Sequence, residues 1–251
     1  MEKRFENKIA VVTGAAMGIG KAVAQRLGIE GATLALFDIN KEMLTNVIEE
    51  FTIKGIVATE YIMDVSREKE VNDAVEKVEK KFKKIDILVH AAGIVGPTST
   101  KITNYDIEEF DNIYRINLRG SFLMTKAVLK VMSKTECGRL LLLSSIAGKE
   151  GNPGMVGYSA TKSGIIGLVK AVAKEYATAN ITINGLAPAV IETPMNLNTS
   201  PEQLNYLKEK IPMNRLGTVE EVAAISCFIV SDENSFSTGF IYDISGGRAT
   251  Y

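Results

Sequence analysis

Short apolar runs rich in β-branched residues alternate along the chain with longer segments whose apolar residues recur every three or four positions. The run Leu140–Leu143 is continuously apolar, which is typical of a parallel strand covered on both faces rather than of a half-exposed antiparallel strand. Seven runs of this kind predict strands, namely Lys8–Thr13, Thr33–Phe37, Ile56–Ile62, Ile85–His90, Gly138–Ser144, Ile181–Leu186 and Phe240–Ile244.

The intervening segments carry the periodicity of helices that bury one face. One apolar stripe lies among many charged residues and comprises Val71, Val75, Val78 and Phe82. A second comprises Ile165, Leu168, Val169 and Val172. Strands and helices alternate over nearly the whole chain, without a repeat or a linker rich in Pro, Gly or Ser. We therefore predict a single α/β domain over residues 1–251, with a doubly wound, mainly parallel sheet of seven strands and helices on both faces.

Composition excludes several classes of protein. The 251 residues include 29 basic and 30 acidic side chains, and this near-neutral balance argues against an extended nucleic-acid surface. The one histidine, His90, and two distant cysteines predict neither a metal site nor a disulfide framework. The first residues lack the apolar stretch of a signal peptide, and no uncharged run reaches the roughly 18 residues of a membrane span. These features predict a soluble, cytoplasmic protein without a membrane partner.

A glycine-rich turn follows the first predicted strand and opens a helix, in the sequence Thr13-Gly-Ala-Ala-Met-Gly-Ile-Gly20. Glycines at this position let a phosphate approach the backbone amides of the helix N-terminus, as in Rossmann domains. Asp38 ends the second strand, where a carboxylate can accept the ribose hydroxyls of an adenosine. A carboxylate there repels the 2′-phosphate of NADP, and no Arg or Lys lies within the turn. The sequence therefore predicts NAD in preference to NADP.

Further motifs follow in order along the chain: Asp64-Val65, Ala91-Ala92-Gly93, Asn117, Ser145, Tyr158-Ser-Ala-Thr-Lys162 and Thr193-Pro194. Together with the glycine turn, they resemble the short-chain dehydrogenase/reductase family over essentially the entire chain. The Tyr-xxx-Lys placed after a serine is far more specific than the glycines alone. The family usually reads Asn-Asn-Ala-Gly where this chain has His90-Ala-Ala-Gly93, which removes two side chains that brace the central strand.

The resemblance implies a catalytic set of Asn117, Ser145, Tyr158 and Lys162. Tyr158 would exchange a proton with the substrate oxygen, which Ser145 would hold, while Asn117 would order a water in a relay beyond Lys162. The adjacent Ser144 is expected to have a supporting role, and His90 a structural one.

The spacing of Tyr158 and Lys162 places both on one helix face. A unit charge about 4 Å away, at an effective dielectric constant of about 20, contributes roughly 4 kcal/mol, or about three pKa units. On this basis we predict that Lys162 lowers the pKa of Tyr158 to near neutrality.

The same resemblance implies how a dinucleotide would be held. Asp64 and Val65 would hold the adenine, Gly93 would let the cofactor pass close to the backbone, and Thr193 would bond the carboxamide. The full implied set is Gly14, Met17, Gly18, Ile19, Gly20, Asp38, Asp64, Val65, Ala91, Ala92, Gly93, Tyr158, Lys162, Pro188, Val190, Ile191 and Thr193. Residues from about 190 to 213 are expected to form a substrate lid.

Two substrate classes compete within the family. Reductases of 3-oxoacyl groups on acyl carrier protein usually prefer NADP and dock the carrier through arginines near the active-site rim, where this chain has Glu136 and Ala179. Three segments instead resemble bacterial dehydrogenases of sugars, polyols and sugar acids, especially of 2-keto-3-deoxy acids: residues 92–97, residues 147–153 and the tail 245–251. The sequence favours the second class.

The substrate-binding residues and the assembly are left more open. Lys149, Glu150 and Asn152 either bond substrate hydroxyls or are solvated loop residues. The resemblance implies a homotetramer, in which Arg248 or the Tyr251 carboxylate would line a neighbour's substrate pocket, or the tail would only seal the interface. A catalytically silent nucleotide-binding regulator is a further alternative, and loss of the serine, tyrosine or lysine would favour it. None is lost.

Overall fold

The computed structural model describes residues 3–193, 205, 208–249 and 251. Its strands form one seven-stranded sheet in the order β3-β2-β1-β4-β5-β6-β7, and every neighbouring pair is parallel. The strands are β1 (Ile9–Thr13), β2 (Thr33–Asp38), β3 (Ala58–Ile62), β4 (Ile87–His90), β5 (Cys137–Leu143), β6 (Asn180–Pro188) and β7 (Ile241–Ile244). The predicted fold class is confirmed, and all seven strands lie where the apolar runs placed them.

Helices connect the strands on both sides of the sheet. They are α1 (Gly18–Ile29), α2 (Lys41–Ile53), α3 (Glu68–Phe82), α4 (Ile107–Ile113), α5 (Gly120–Met132), α6 (Ile146–Glu150), α7 (Val156–Glu175) and α8 (Val219–Ile229). A π-helical turn (Tyr114–Arg119) joins α4 to α5, and a short 3₁₀ turn (Ile102–Asn104) precedes α4. No described helix is both long enough and apolar enough to cross a membrane.

Two apolar cores cover the two faces of the sheet. Helices α3, α5 and α7 pack on one face, where Val71, Val75, Val78, Ile165 and Val169 are buried as the periodicity predicts. Helices α1, α2 and α8 pack on the other face, through a second cluster of buried residues. Cover on both faces explains why the central strands are continuous apolar runs.

The start of β3 differs from the prediction. Ile56 is buried, which is why the run looks like a strand from that residue onward, but its amide donates to the carbonyl of Phe51 at 2.9 Å and closes the turn after α2. The ladder with β2 begins only at Ala58. Ile56 is therefore buried without belonging to the strand, so the apolar run begins before the strand does.

The strand order reverses between β1 and β4, and in open parallel sheets ligands bind at the carboxyl edge beside such a reversal. Every motif of the predicted site follows the carboxyl end of a strand or lies on a helix that packs beside it. The topology therefore gathers motifs that are far apart in sequence onto one edge.

Candidate active site

The glycine turn is shaped by two close backbone approaches. A Cβ on Gly14 would lie 2.9 Å from the Ala92 amide nitrogen, and one on Gly20 would lie 2.1 Å from the Gly14 carbonyl oxygen. Gly14 and Gly18 also have positive φ values of 65° and 55°, which favour glycine. Met17, the N-cap of α1, provides no side-chain cap, so the first turn of the helix presents backbone amides to a ligand. Side chains are absent where a phosphate needs room, so the turn fits a dinucleotide.

Asp38 lies beside this turn, at the end of β2. Its carboxylate accepts hydrogen bonds from the amides of Ala16 at 3.0 Å and Asn40 at 2.9 Å. Lys21, a cation close to the turn, is held 2.6 Å from the Glu50 carboxylate. The edge of the predicted ribose site is therefore anionic, and the neighbouring ammonium is already paired.

The residues predicted to hold the adenine follow β3. The Asp64 carboxylate accepts from the Ser66 amide at 2.8 Å, which closes a local turn. Val65 is buried, and its Cγ2 would lie 3.1 Å from a Cβ on Gly120 at the start of α5. The turn after β3 is thus packed closely against the start of α5, so the residues predicted to hold the adenine have a fixed position.

His90, at the end of β4, belongs to a buried hydrogen-bond cluster centred on the Thr13 hydroxyl. The Thr13 hydroxyl oxygen accepts from the amides of Ala91 and Ala92, both at 3.2 Å, and lies 2.8 Å from His90 Nδ1. Because both lone pairs of the hydroxyl are taken, its proton must be donated to Nδ1. The ring proton is therefore on Nε2, a buried atom that has no acceptor among the described side chains and backbone groups. His90 ties the β4 loop to the glycine turn.

Burial also makes His90 a source of acid sensitivity. Desolvation, together with the charge of Lys162, lowers the pKa of His90 from 6.5 to about 3. Between these values the unfolded chain binds a proton that the folded chain does not. The free energy of unfolding should therefore decrease as the pH is lowered, by up to about 1.4 kcal/mol per pH unit.

Urea unfolding of wild type and His90→Asn from pH 8 to pH 4 measures this pH dependence. We expect the two stabilities to diverge only below about pH 6.5. Parallel curves throughout would contradict a buried neutral imidazole, because the chain has no other histidine.

Ser145, Tyr158 and Lys162 come together as predicted. Ser145 caps α6, its hydroxyl accepting from the Ala147 amide at 3.2 Å. Its side chain is close enough to Tyr158 to favour the ionised form of the phenol. The Lys162 ammonium lies 5.6 Å from the centre of the Tyr158 ring and donates to the Leu143 carbonyl at 2.7 Å. The hydroxyl of Ser144 instead donates to the Lys162 carbonyl at 2.9 Å, which is the supporting role expected of it.

The expected lowering of the Tyr158 pKa is not what the structure shows. Burial raises the pKa of Tyr158, and the nearby Ser145 side chain offsets this only in part. Burial likewise lowers the pKa of Lys162 to about 8. The prediction is wrong because it considered charge attraction alone and left out the desolvation of both groups. The resting tyrosine is therefore a protonated phenol beside an ammonium group that is charged at neutral pH.

Asn117 lies in the π-helical turn and is fully buried. Its amide bonds the backbone of Ile94 twice, accepting from the nitrogen and donating to the oxygen, each at 2.9 Å. A Cβ on Gly93 would lie 3.1 Å from Asn117 Oδ1 and 3.6 Å from Lys162 Nζ. Asn117 thus fixes the loop after β4 against the lysine, and its water-relay role stays a prediction.

The segment after β6 returns to the glycine turn. The backbones of Val190 and Glu192 pair with Gly217 at 3.1 Å and 2.8 Å. The Cγ2 of Thr193 would lie 3.7 Å from a Cβ on Gly18, so the two predicted cofactor segments meet. Within the predicted lid 190–213, residues 194–204 and 206–207 lie outside the described residues.

The predicted substrate residues are engaged within the chain. Arg248 bonds Glu150 and Asn152, and Lys149 bonds Asp243 at 2.8 Å. That these side chains also bond substrate hydroxyls, or that Arg248 meets a substrate carboxylate in a neighbour, stays a prediction. In this structure the charged side chains form ion pairs with one another, Lys149 with Asp243 and Arg248 with Glu150.

Glu136 and Ala179, the two positions aligned with carrier-docking arginines, lie away from the predicted active-site rim. Glu136 directly precedes β5 and Ala179 directly precedes β6. Both therefore lie at the amino edge of the sheet, whereas Ser145 lies at the carboxyl edge. The absence of arginine at these two positions therefore does not distinguish between the substrate classes. Alignment of the sequence alone does not show at which edge of the sheet a residue lies.

Two structural residues escaped prediction. Gly148 lies so close to α7 that a Cβ would come 2.7 Å from the Lys162 carbonyl carbon. Asp243 is the one acidic residue of strand β7. An acid in such a strand could have indicated from the sequence alone that it has a charged partner. Within the described part of the chain, no three His, Cys, Asp or Glu side chains are grouped to hold a metal ion.

Comparisons with known proteins agree with this geometry. A family model described as enoyl-(acyl carrier protein) reductase matches residues 14–249. The 2-dehydro-3-deoxy-L-rhamnonate dehydrogenase (NAD(+)) of Sphingomonas sp. strain SKA58 is 40% identical over 248 residues, covering 99% of this chain and 98% of the relative. The 3-oxoacyl-acyl-carrier-protein reductase of Thermotoga maritima is 38% identical over 244 residues, covering 97% and 98%.

Solved structures match over the same length. The crystal structure of an NAD+-bound xylitol dehydrogenase superposes with a TM-score of 0.92 at 32% identity, covering 97% of this chain and 99% of that one. A levodione reductase structure gives 0.92 at 33% identity, covering 98% and 100%. The chain therefore belongs to the short-chain dehydrogenase/reductase family, whose members are oxidoreductases that act on alcohol and ketone groups.

Proposed function

We propose that this chain is an NAD(H)-dependent oxidoreductase that interconverts a secondary alcohol and a ketone on a sugar, a polyol or a sugar acid. The observation that carries the proposal is the buried Lys162 ammonium 5.6 Å from the centre of the Tyr158 ring, next to Ser145 and on the same sheet edge as the glycine turn. The site therefore combines a group that transfers a proton (Tyr158), a hydroxyl that can bind the substrate oxygen (Ser145) and a positive charge (Lys162).

The three side chains divide the proton chemistry. For oxidation, Tyr158 must first release its phenolic proton to solvent, and the phenolate then takes the hydroxyl proton while the Ser145 hydroxyl holds the substrate oxygen. Lys162, charged below its pKa of about 8, stabilises that phenolate. When bound, a nicotinamide nucleotide supplies the acceptor for the hydride that leaves the alcohol carbon, or its donor in reverse. For ketone reduction, the raised pKa of Tyr158 keeps the phenol protonated and ready to donate.

The preference for NAD is supported by charge at the ribose edge. Asp38 would repel a 2′-phosphate, and Lys21 is paired with Glu50 rather than available to attract one. The Sphingomonas relative carries NAD(+) in its name, and the xylitol dehydrogenase structure is bound to NAD+. Those names also support the sugar-acid and polyol classes.

The 3-oxoacyl reductase reading is the second candidate, because the Thermotoga relative is nearly as similar. Initial rates measured at 340 nm with polyols, aldonates and 2-keto-3-deoxy acids, and separately with a 3-oxoacyl thioester, distinguish the two. Each substrate is offered with both cofactors, in both directions where the product is available.

Turnover of a sugar-type substrate with NAD(H) is the expected outcome. Turnover of the thioester alone, with NADPH, would overturn the proposal in favour of the second candidate. Binding of NADH with no turnover of any substrate would favour a silent nucleotide-binding protein.

A further inference from the structure

The segment that carries Ser145 is too short to hold its own position. Helix α6 has five residues, whereas isolated helices need roughly 12–15 residues to be even marginally stable in water. Its inner side is fixed by Ser163, whose hydroxyl donates to the Gly148 carbonyl at 2.6 Å. Its outer end, Lys149 and Glu150, depends on contacts from elsewhere in the chain.

Lys149 is held from two directions. Its ammonium donates to the Asp243 carboxylate of β7 at 2.8 Å and to the main-chain oxygen of Tyr251. The Tyr251 hydroxyl returns a hydrogen bond to the Lys149 carbonyl at 3.0 Å. The Lys149 side chain is only 8% exposed, so this pairing is shielded from solvent.

Glu150 is held by the tail as well. Arg248 donates to one Glu150 oxygen through both Nε at 3.0 Å and Nη2 at 2.9 Å, and Nη2 also donates to Asn152 Oδ1 at 2.9 Å. The Arg248 side chain is 6% exposed. Removing the Glu150 carboxylate would leave the buried Arg248 guanidinium without its anion, which is costly.

The same tail contacts the end of the predicted lid. The amide of Met213 donates to the Gly246 carbonyl at 3.1 Å. Gly246 has a φ of 61°, and a Cβ there would lie 2.6 Å from the Ile211 Cγ2. The tail therefore bridges the Ser145 segment and residues 211–213.

We propose that residues 245–249 and Tyr251, called here the tail clamp, hold the catalytic serine in place, with Arg248 and Lys149 as positioning residues. The clamp acts through α6 on the hydroxyl that binds the substrate oxygen. In this arrangement the charge of Arg248 is compensated by Glu150, so Arg248 is not the receptor for a substrate carboxylate. The kinetic test rests on the proposed function, whereas the structural test below does not.

Charge exchange tests the clamp. Arg248→Glu places two carboxylates together and Glu150→Arg places two cations together, whereas the double variant restores an opposite pair. Each single variant should lower kcat by about tenfold, equivalent to about 1.4 kcal/mol, and leave the KM for NAD unchanged. The double variant should recover to within about threefold of wild type. The losses should be equal for an anionic and a neutral substrate, because Ser145 contacts the oxygen of both.

Two kinetic results would overturn the clamp. One is a double variant as slow as Arg248→Glu, which would show that pairing with Glu150 is irrelevant. The other is a loss confined to anionic substrates, which would make Arg248 a carboxylate receptor instead.

Hydrogen exchange gives a readout that needs no substrate. Amides of residues 146–152 should exchange faster in Arg248→Glu and return to wild-type rates in the double variant. Unchanged exchange would contradict the clamp even if no substrate is found. Absence of turnover by wild type, with this exchange pattern present, would instead count against the proposed function alone.

Discussion

Replacing Tyr158 by Phe is expected to lower kcat by about 10²–10⁴, the contribution typical of a positioned acid or base. The variant loses the hydroxyl that exchanges a proton with the substrate, while the ring and its packing remain. Because phenylalanine has no hydroxyl to contact the substrate oxygen, some rise in KM for the substrate is also expected. Steady-state kinetics together with NADH fluorescence titration separate the two effects.

Tyr176→Phe is the matched control, since Tyr176 caps the far end of the same helix. It should turn over like wild type. NADH binding by the Tyr158 variant should be within about threefold of wild type, because the variant removes only one hydroxyl from the predicted cofactor set and leaves the glycine turn and Asp38 in place. A Tyr158→Phe enzyme that retained more than a tenth of the wild-type kcat would disprove the assignment of the proton to this residue.

Replacing Asp38 by Asn is expected to lower kcat/KM for NAD by about 10–100-fold, because hydrogen bonds to a charged group are worth roughly 1.5–3 kcal/mol. Asparagine keeps one acceptor oxygen, which can serve the Ala16 amide, and loses the one that serves the Asn40 amide. Loss of the negative charge should at the same time reduce the discrimination against NADP. Kinetics with both nucleotides on one preparation measure both changes.

An acid remote from the site provides the comparison. Asp73→Asn removes a carboxylate from the solvent-exposed face of α3, where it pairs with Lys69, and should leave the ratio of the two cofactors unchanged. If Asp38→Asn also left that ratio unchanged, the carboxylate would not determine cofactor choice.

Local sequence patterns predicted the sheet because its strands are buried on both faces, so that nearly every residue of a run such as Leu140–Leu143 is apolar. The active-site edge followed from topology, since motifs placed after parallel strands meet at their carboxyl ends. The Tyr158–Lys162 pair could be found because helical periodicity relates residues four positions apart.

What escaped prediction depends on contacts between distant segments. Lys149 and Asp243 are 94 positions apart, and neither residue type indicates the other as its partner. The burial that raises the pKa of Tyr158 is set by the packing of several elements around the site, and no spacing of two residues reports it. The same holds for His90, whose neighbour Thr13 belongs to a different strand.

The most direct test of the central claim is one ratio, measured on one preparation of wild type. It compares kcat/KM for the best sugar-type alcohol with NAD to kcat/KM for a 3-oxoacyl thioester with NADPH. The proposed function predicts a ratio above about 10, the discrimination that one or two differential polar contacts supply. A ratio below one would contradict it.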